Sequence, residues 1–162
     1  MTDKKLDDLF LHTLKDVFYA ENAITKALPK MTKAAQSKDL KHAFETHLKQ
    51  TEGQIERLQQ VFKIIGQKAE GVPCEAIKGI LKEGDEVADE FKGSHALDAG
   101  LIAAAQAVEH YEISRYGALR TWAEELGLKD ASKLLQATLD EEEATDRSLT
   151  KLAEKKVNTA AL

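Results

Sequence analysis

An all-α protein made of two antiparallel helical hairpins and a crossover helix is the fold this sequence predicts. Three observations predict it. Apolar residues recur at spacings of three, four and seven almost everywhere, with no strand-like alternation. Turn residues are sparse, with 9 glycines and 2 prolines in 162 residues. The apolar pattern of the first half returns in the second half after 91 residues. The length suits one domain, 1–162, whose core would bury about 68–70% of the unfolded surface. Hydrophobic residues at 43% and charged residues at 31% exclude a disordered chain.

The first helix is expected over 3–35, on Leu6, Phe10, Leu14, Val17, Ile24, Leu28 and Met31. Pro29 lies inside it and cannot donate to the Thr25 carbonyl. Ser37 suits the N-cap of a second helix over 38–66, which carries Phe44, Leu48, Ile55, Leu58, Phe62 and Ile65 and closes at Gly66. After a loop, Pro73 suits the first position of a crossover helix over 73–91. Lys92-Gly93 breaks the pattern, and Ser94 can cap a helix over 95–126 with Leu97, Leu101, Ala104, Val108, Leu119, Trp122 and Leu126. Gly127 closes that helix. The last, over 129–156, carries Leu135, Leu139, Leu149 and Leu152, and residues 157–162 are expected to fray. Two short turns make two hairpins, and the long link between them matches the ferritin-like variant of the four-helix bundle.

Several function classes are disfavoured. A single cysteine, Cys74, excludes a disulfide framework and a four-thiolate zinc site. The start, Met1-Thr2-Asp3-Lys4-Lys5, precedes no apolar leader, and the most apolar run, 99–108, is too short to cross a bilayer. A net charge of −5 makes nucleic acid and anionic membranes poor partners. The expected location is cytoplasmic. No Gly-rich phosphate loop, zinc-type Cys/His spacing or Ser-His-Asp ordering stands out.

The repeat brings the chemistry forward. At an offset of 91, Leu6 falls on Leu97, Val17 on Val108, Leu28 on Leu119, Phe44 on Leu135 and Leu58 on Leu149. The same offset pairs Glu21 with Glu112 and Glu52 with Glu143. Each acid follows a core residue by four: Val17, Val108, Leu48 and Leu139. On that reading each of four helices points one glutamate inward. Glu21 and Glu52 are equidistant from the first turn, as Glu112 and Glu143 are from the second, so all four share a level.

Ionised carboxylates in an apolar interior need compensation, and two divalent metal ions supply it. The known di-iron arrangement takes a Glu from two helices and a Glu-x-x-His from each of the other two. This chain departs from it. Asp146 stands three residues after Glu143 and Ile55 three after Glu52. Glu109 lies one turn before Glu112 and shares a level with Asp146, so one metal position is better furnished than the other. The expected ligands are Glu21, Glu52, Glu109, Glu112, Glu143 and Asp146, with Glu109 either a ligand or an orienting group. His47 lies about 7.5 Å along the helix from Glu52 and about 140° around it, which suits a supporting place rather than a direct ligand. Arg115, one turn after Glu112, would be the other supporting residue. Two alternatives stay open. A helix phase one position off would put the acids in water. An inward Arg115 would neutralise them with no metal. Tyr19, Tyr111 and Tyr116 could bond the carboxylates or simply pack. His42 and His110 are expected at the surface.

The segments Tyr19-Ala20-Glu21, His47 to Glu52, Ala105 to Glu112 with its Glu-His-Tyr-Glu stretch, and Glu141 to Asp146 resemble the YciE/YciF stress-protein family of the ferritin-like superfamily. The likeness covers nearly the whole chain. It implies a ferritin-like bundle, a homodimer and induction under stress, with no settled activity. The leading expectation is a dinuclear centre, iron or manganese, that meets oxygen or another small oxidant and handles iron or oxidants. The alternative is a non-enzymatic dimeric structural or interaction protein with a structural or absent metal. A third reading is an iron-storage cage, which would need a many-subunit shell, or a DNA-protecting mini-ferritin, which the acidic charge and the absence of a basic tail disfavour.

Overall fold

The computed structural model describes residues 3–162. Among these residues six α-helices run in order: α1 (Leu6–Ala34), α2 (Lys38–Ile64), α3 (Glu75–Glu90), α4 (Leu97–Glu125), α5 (Lys129–Leu152) and the short α6 (Asn158–Ala160). Among the described residues there is no strand. The architecture is a ferritin-like bundle, with α1–α2 and α4–α5 as hairpins and α3 in the link. No described helix is long and apolar enough to cross a membrane.

The local signals explain most boundaries. Ser37 caps α2 by accepting from the Leu40 N–H at 3.4 Å. Gly66 and Gly127 end α2 and α4 with φ of +66° and +72°, a conformation that glycine adopts without a Cβ penalty. Two start signals need correcting. Pro73 lies outside α3, whose N-cap is Cys74, with Sγ accepting from the Ile77 N–H at 3.4 Å. Ala96, not Ser94, stands at the N-cap of α4, because the chain makes a further turn after Gly93. The C-terminal expectation also changes. A π turn, Ala153–Val157, continues α5 and buries Ala153 and Val157, so the expected fraying segment is anchored at its first residue, while 158–160 and Leu162 are exposed.

One carboxylate orients the hairpins. Asp98, at the start of α4, accepts the Gln36 and Ser37 N–H groups of the α1–α2 turn at 2.8 and 2.7 Å. The start of α4 therefore lies against the end of α1, and those two helices run antiparallel. Two apolar clusters result. One joins Ile24, Leu28, Leu40, Phe44, Leu97, Leu101 and Leu149 at the Asp98 end. The other joins Phe10, Leu14, Leu58, Phe62, Leu119 and Leu135 at the opposite end. Between them lies a polar layer of buried side chains, including Glu21, His47, Thr51, Gln54, Glu109, Glu112, Thr138 and Glu142.

Candidate metal centre

The buried face of each helix decides which acids meet. On α4, Glu109 and Glu112 are three residues apart and share the face of Ala105, Val108 and Tyr116. On α1, Glu21 continues the buried run Leu14, Val17 and Ala20. On α5, Glu142 stands seven residues after Leu135 and seven before Leu149, both buried. On α2, His47 belongs to the buried series Leu40, Phe44, His47, Thr51, Gln54 and Leu58. Glu21, Glu109, Glu112 and Glu142 are each 0% exposed, and His47 is 3% exposed.

One donor atom from each of His47, Glu109, Glu112 and Glu142 falls within 4.8 Å of all the others. His47 Nε2 is 2.9 Å from Glu109 Oε1, without the alignment of a hydrogen bond. Glu21 lies beside Glu112 and accepts a 2.5 Å hydrogen bond from the Tyr116 hydroxyl. Seven buried carboxylate oxygens of Glu21, Glu109, Glu112 and Glu142, and both His47 ring nitrogens, have no hydrogen-bond partner. Buried polar atoms in folded proteins are almost always satisfied, so this concentration of free acceptors is a property of the site.

Proton affinities follow from the crowding. Burial first, then the charge of Glu142, pushes Glu21 up to about 7. Burial pushes Glu109 up to about 7 as well. Glu112 is raised well above the usual carboxyl range by burial and by Glu142, Glu21 and Glu109. Glu142 is raised by burial and by Glu109. Burial lowers His47, which favours the neutral imidazole that binds metals.

The residues singled out by spacing divide. Glu21, Glu109 and Glu112 are in the cluster. Glu52 is exposed, and Glu143 is half-exposed beside Arg147 at 3.7 Å, so neither points inward. The core face of α2 and α5 is turned by one position from the expected one, to Thr51 and Glu142. Leu48 and Ile55 lie on the flank of the buried face, whereas polar His47, Thr51 and Gln54 occupy its centre. Asp146 lies outside the cluster, accepting from the Gln106 amide at 3.1 Å and standing 3.2 Å from exposed His110. Arg115 does not reach the acids. It is half-buried, and its guanidinium lies 5.3 Å from the centre of the Tyr111 ring. Among the described residues, His47 is the only potentially cationic side chain within 4 Å of a cluster carboxylate. Tyr111 bonds Asp16 at 2.8 Å and Cys74 at 3.2 Å instead.

Glu142 is not among the expected site residues and His47 is expected only in a supporting place; the structure brings both into the cluster. The sevenfold series Leu135, Glu142, Leu149 and Leu40, His47, Gln54, Val61 carry the signal that finds both.

Fold and site together define a ferritin-like helical bundle with a buried carboxylate–imidazole cluster at its centre. Residues 5–162 match the family model described as a domain of unknown function (DUF892), and the chain belongs to that family. It is 46% identical over 162 residues to the protein YciF of Escherichia coli K12, covering 99% of this chain and 98% of YciF. The crystal structure of that stress protein superimposes with a TM-score of 0.92, covering 96% of this chain and 99% of YciF. YcfI of Rhodopseudomonas palustris is 52% identical, with a TM-score of 0.88 over 91% of this chain and 94% of its own. A protein of Xanthomonas campestris shares the fold at 17% identity, with a TM-score of 0.76, covering 97% of this chain and 96% of its own.

Proposed function

We propose that this chain is a stress-response metalloprotein whose bundle centre holds two divalent metal ions, iron first and manganese second, for handling iron or a small oxidant. One observation carries the reading: nine buried ligand-type atoms of Glu21, His47, Glu109, Glu112 and Glu142 lack any hydrogen-bond partner. Acids this crowded are uncomfortable alone and well suited to hard divalent cations. His47, Glu109, Glu112 and Glu142 would hold one ion, and Glu21 with Glu112 would furnish the second. Bound metal with open coordination positions would supply the electrons for reducing dioxygen or peroxide.

The chain's own residues have definable parts. Neutral His47 offers a nitrogen donor without adding charge. Tyr116 holds one oxygen of Glu21 by its hydroxyl, and that carboxylate's second oxygen has no partner. The apolar clusters above and below exclude bulk water from the layer. The working form would be a cytoplasmic homodimer, with neither nucleic acid nor membrane as partner; light scattering checks the oligomeric state.

A second reading rests on the raised proton affinities. Near neutral pH the cluster could keep enough protons to stand without metal, as the centre of a non-enzymatic dimeric module. Mass spectrometry of the purified protein for metal separates the two. Up to two divalent ions per chain, lost in Glu112→Ala and His47→Ala, supports the metalloprotein. An unchanged stoichiometry in both variants, or none in the wild type, removes it.

A further inference from the structure

We propose that the cleft between α2 and α5 is the port through which a small uncharged oxidant reaches the buried cluster. This rests on reading the cluster as a metal centre that meets oxidants. The cleft has a volume of about 180 Å³, and His47 is part of its wall. The same imidazole stands 2.9 Å from Glu109, so one side chain belongs both to the wall of the cleft and to the cluster. A liquid water molecule occupies roughly 30 Å³, so several molecules of that size fit.

The wall selects by charge. Thr46, Gln50, Thr145 and Ser148 supply its other polar groups, and no Asp, Glu, Lys or Arg lines it. A cation shedding water there would find no counter-charge, and an unpaired charge in a narrow protein cleft is costly. A neutral hydrogen-bonding solute exchanges water for hydroxyl and amide groups at little net cost. The two stretches of the α2–α5 seam also differ. Towards the far end of the cluster, Arg57 clamps Glu141 at 2.6 Å and Gln54 bonds the same carboxylate at 3.1 Å. At the cleft, one neutral bond crosses the seam, from the Thr145 hydroxyl to Gln50 Oε1 at 3.2 Å.

Ala144 and Ser148 line the cleft from exposed positions on α5, so Ala144→Leu and Ser148→Leu should fill it without disturbing the core. In the metal-free full chain, dissolved dioxygen serves as a paramagnetic probe. It should enhance relaxation of the His47 Cε1 proton in the wild type, and the enhancement should fall severalfold in both variants. Cobalt(II) uptake, followed by its visible absorption, should keep its rate and stoichiometry in the variants. Equal dioxygen contact in wild type and variants overturns the port. Cobalt uptake slowed in step with dioxygen contact overturns its selectivity for uncharged solutes. A wild type that takes up no cobalt defeats the metal-centre reading alone, since the dioxygen measurement still decides the port.

Discussion

The two hairpins share a core but not a site. Phe44 and Leu135, 91 residues apart, fill equivalent places in opposite apolar clusters, and both are almost fully buried. Glu21 and Glu112 are likewise equivalent and both buried. Beyond that pair the symmetry stops. Where α4 and α5 place Glu109 and Glu142, α1 and α2 place Phe18 and Thr51. Where α2 places His47, α5 has Thr138. A duplicated scaffold thus holds three acids from the second hairpin against one acid and one imidazole from the first. Packing constrains apolar positions everywhere along a bundle, whereas the polar cluster involves only a few side chains at one level.

The largest effect that would break this comparison is at the shared level. Glu112→Ala should abolish retention of metal in an equilibrium-dialysis titration with cobalt(II), whereas Glu52→Ala should leave the stoichiometry unchanged because Glu52 is exposed. Next come the equivalent apolar positions. Phe44→Ala should cost about 3–5 kcal/mol and Leu135→Ala about 2–5 kcal/mol in urea unfolding, each by cavity formation. If one is nearly neutral, the two ends are not equivalent.

A smaller effect separates another pair. Asp98 and Asp7 are related by the same offset, but Asp98 holds two backbone N–H groups and Asp7 is exposed. Asp98→Ala should cost about 2–3 kcal/mol by stranding those donors. Asp7→Ala should change unfolding by under about 0.5 kcal/mol.

Acidity gives a further contrast. Glu21 and Glu109 bind protons more tightly folded, at about 7, than at their ordinary 4.5. Their favourable contribution is complete below pH 4.5 and is lost as pH rises through about 7. His47, lowered by burial, acts oppositely, adding stability as pH rises through its ordinary 6.5. Because acids outnumber the imidazole, the melting temperature of the metal-free protein should fall between pH 4.5 and 7.5. Added cobalt(II) should reverse that slope, since metal competes with the same protons. A small effect is also expected at Glu143→Gln, where a half-exposed pair with Arg147 should be worth under about 1 kcal/mol.

How much of this was legible beforehand differs by region. At the apolar ends, Phe10, Leu14, Leu28, Phe44, Leu58 and Leu135 announce the helix faces by spacing alone, and the structure buries them all. At the centre the inward positions of α2 are His47, Thr51 and Gln54. A reader following apolar residues is drawn one position aside, to Leu48 and Ile55. The neighbouring acids Glu142 and Glu143 differ by 100° of helix, enough to exchange a buried cluster carboxylate for a surface ion pair.

The amino-acid order by itself determined the helices, the pairing into hairpins, the internal duplication and the presence of inward acids at Glu21 and Glu112. Each of these is written in short-range periodicity, which repeats over many residues and tolerates local exceptions. Only the packed bundle decided that Glu142 faces inward and Glu143 outward, and that His47 stands against Glu109. It also decided that Asp146 and Arg115 stay apart from the cluster. Those choices depend on the rotation of each helix about its own axis, which is set by the whole of its contacts and not by any one stretch of chain.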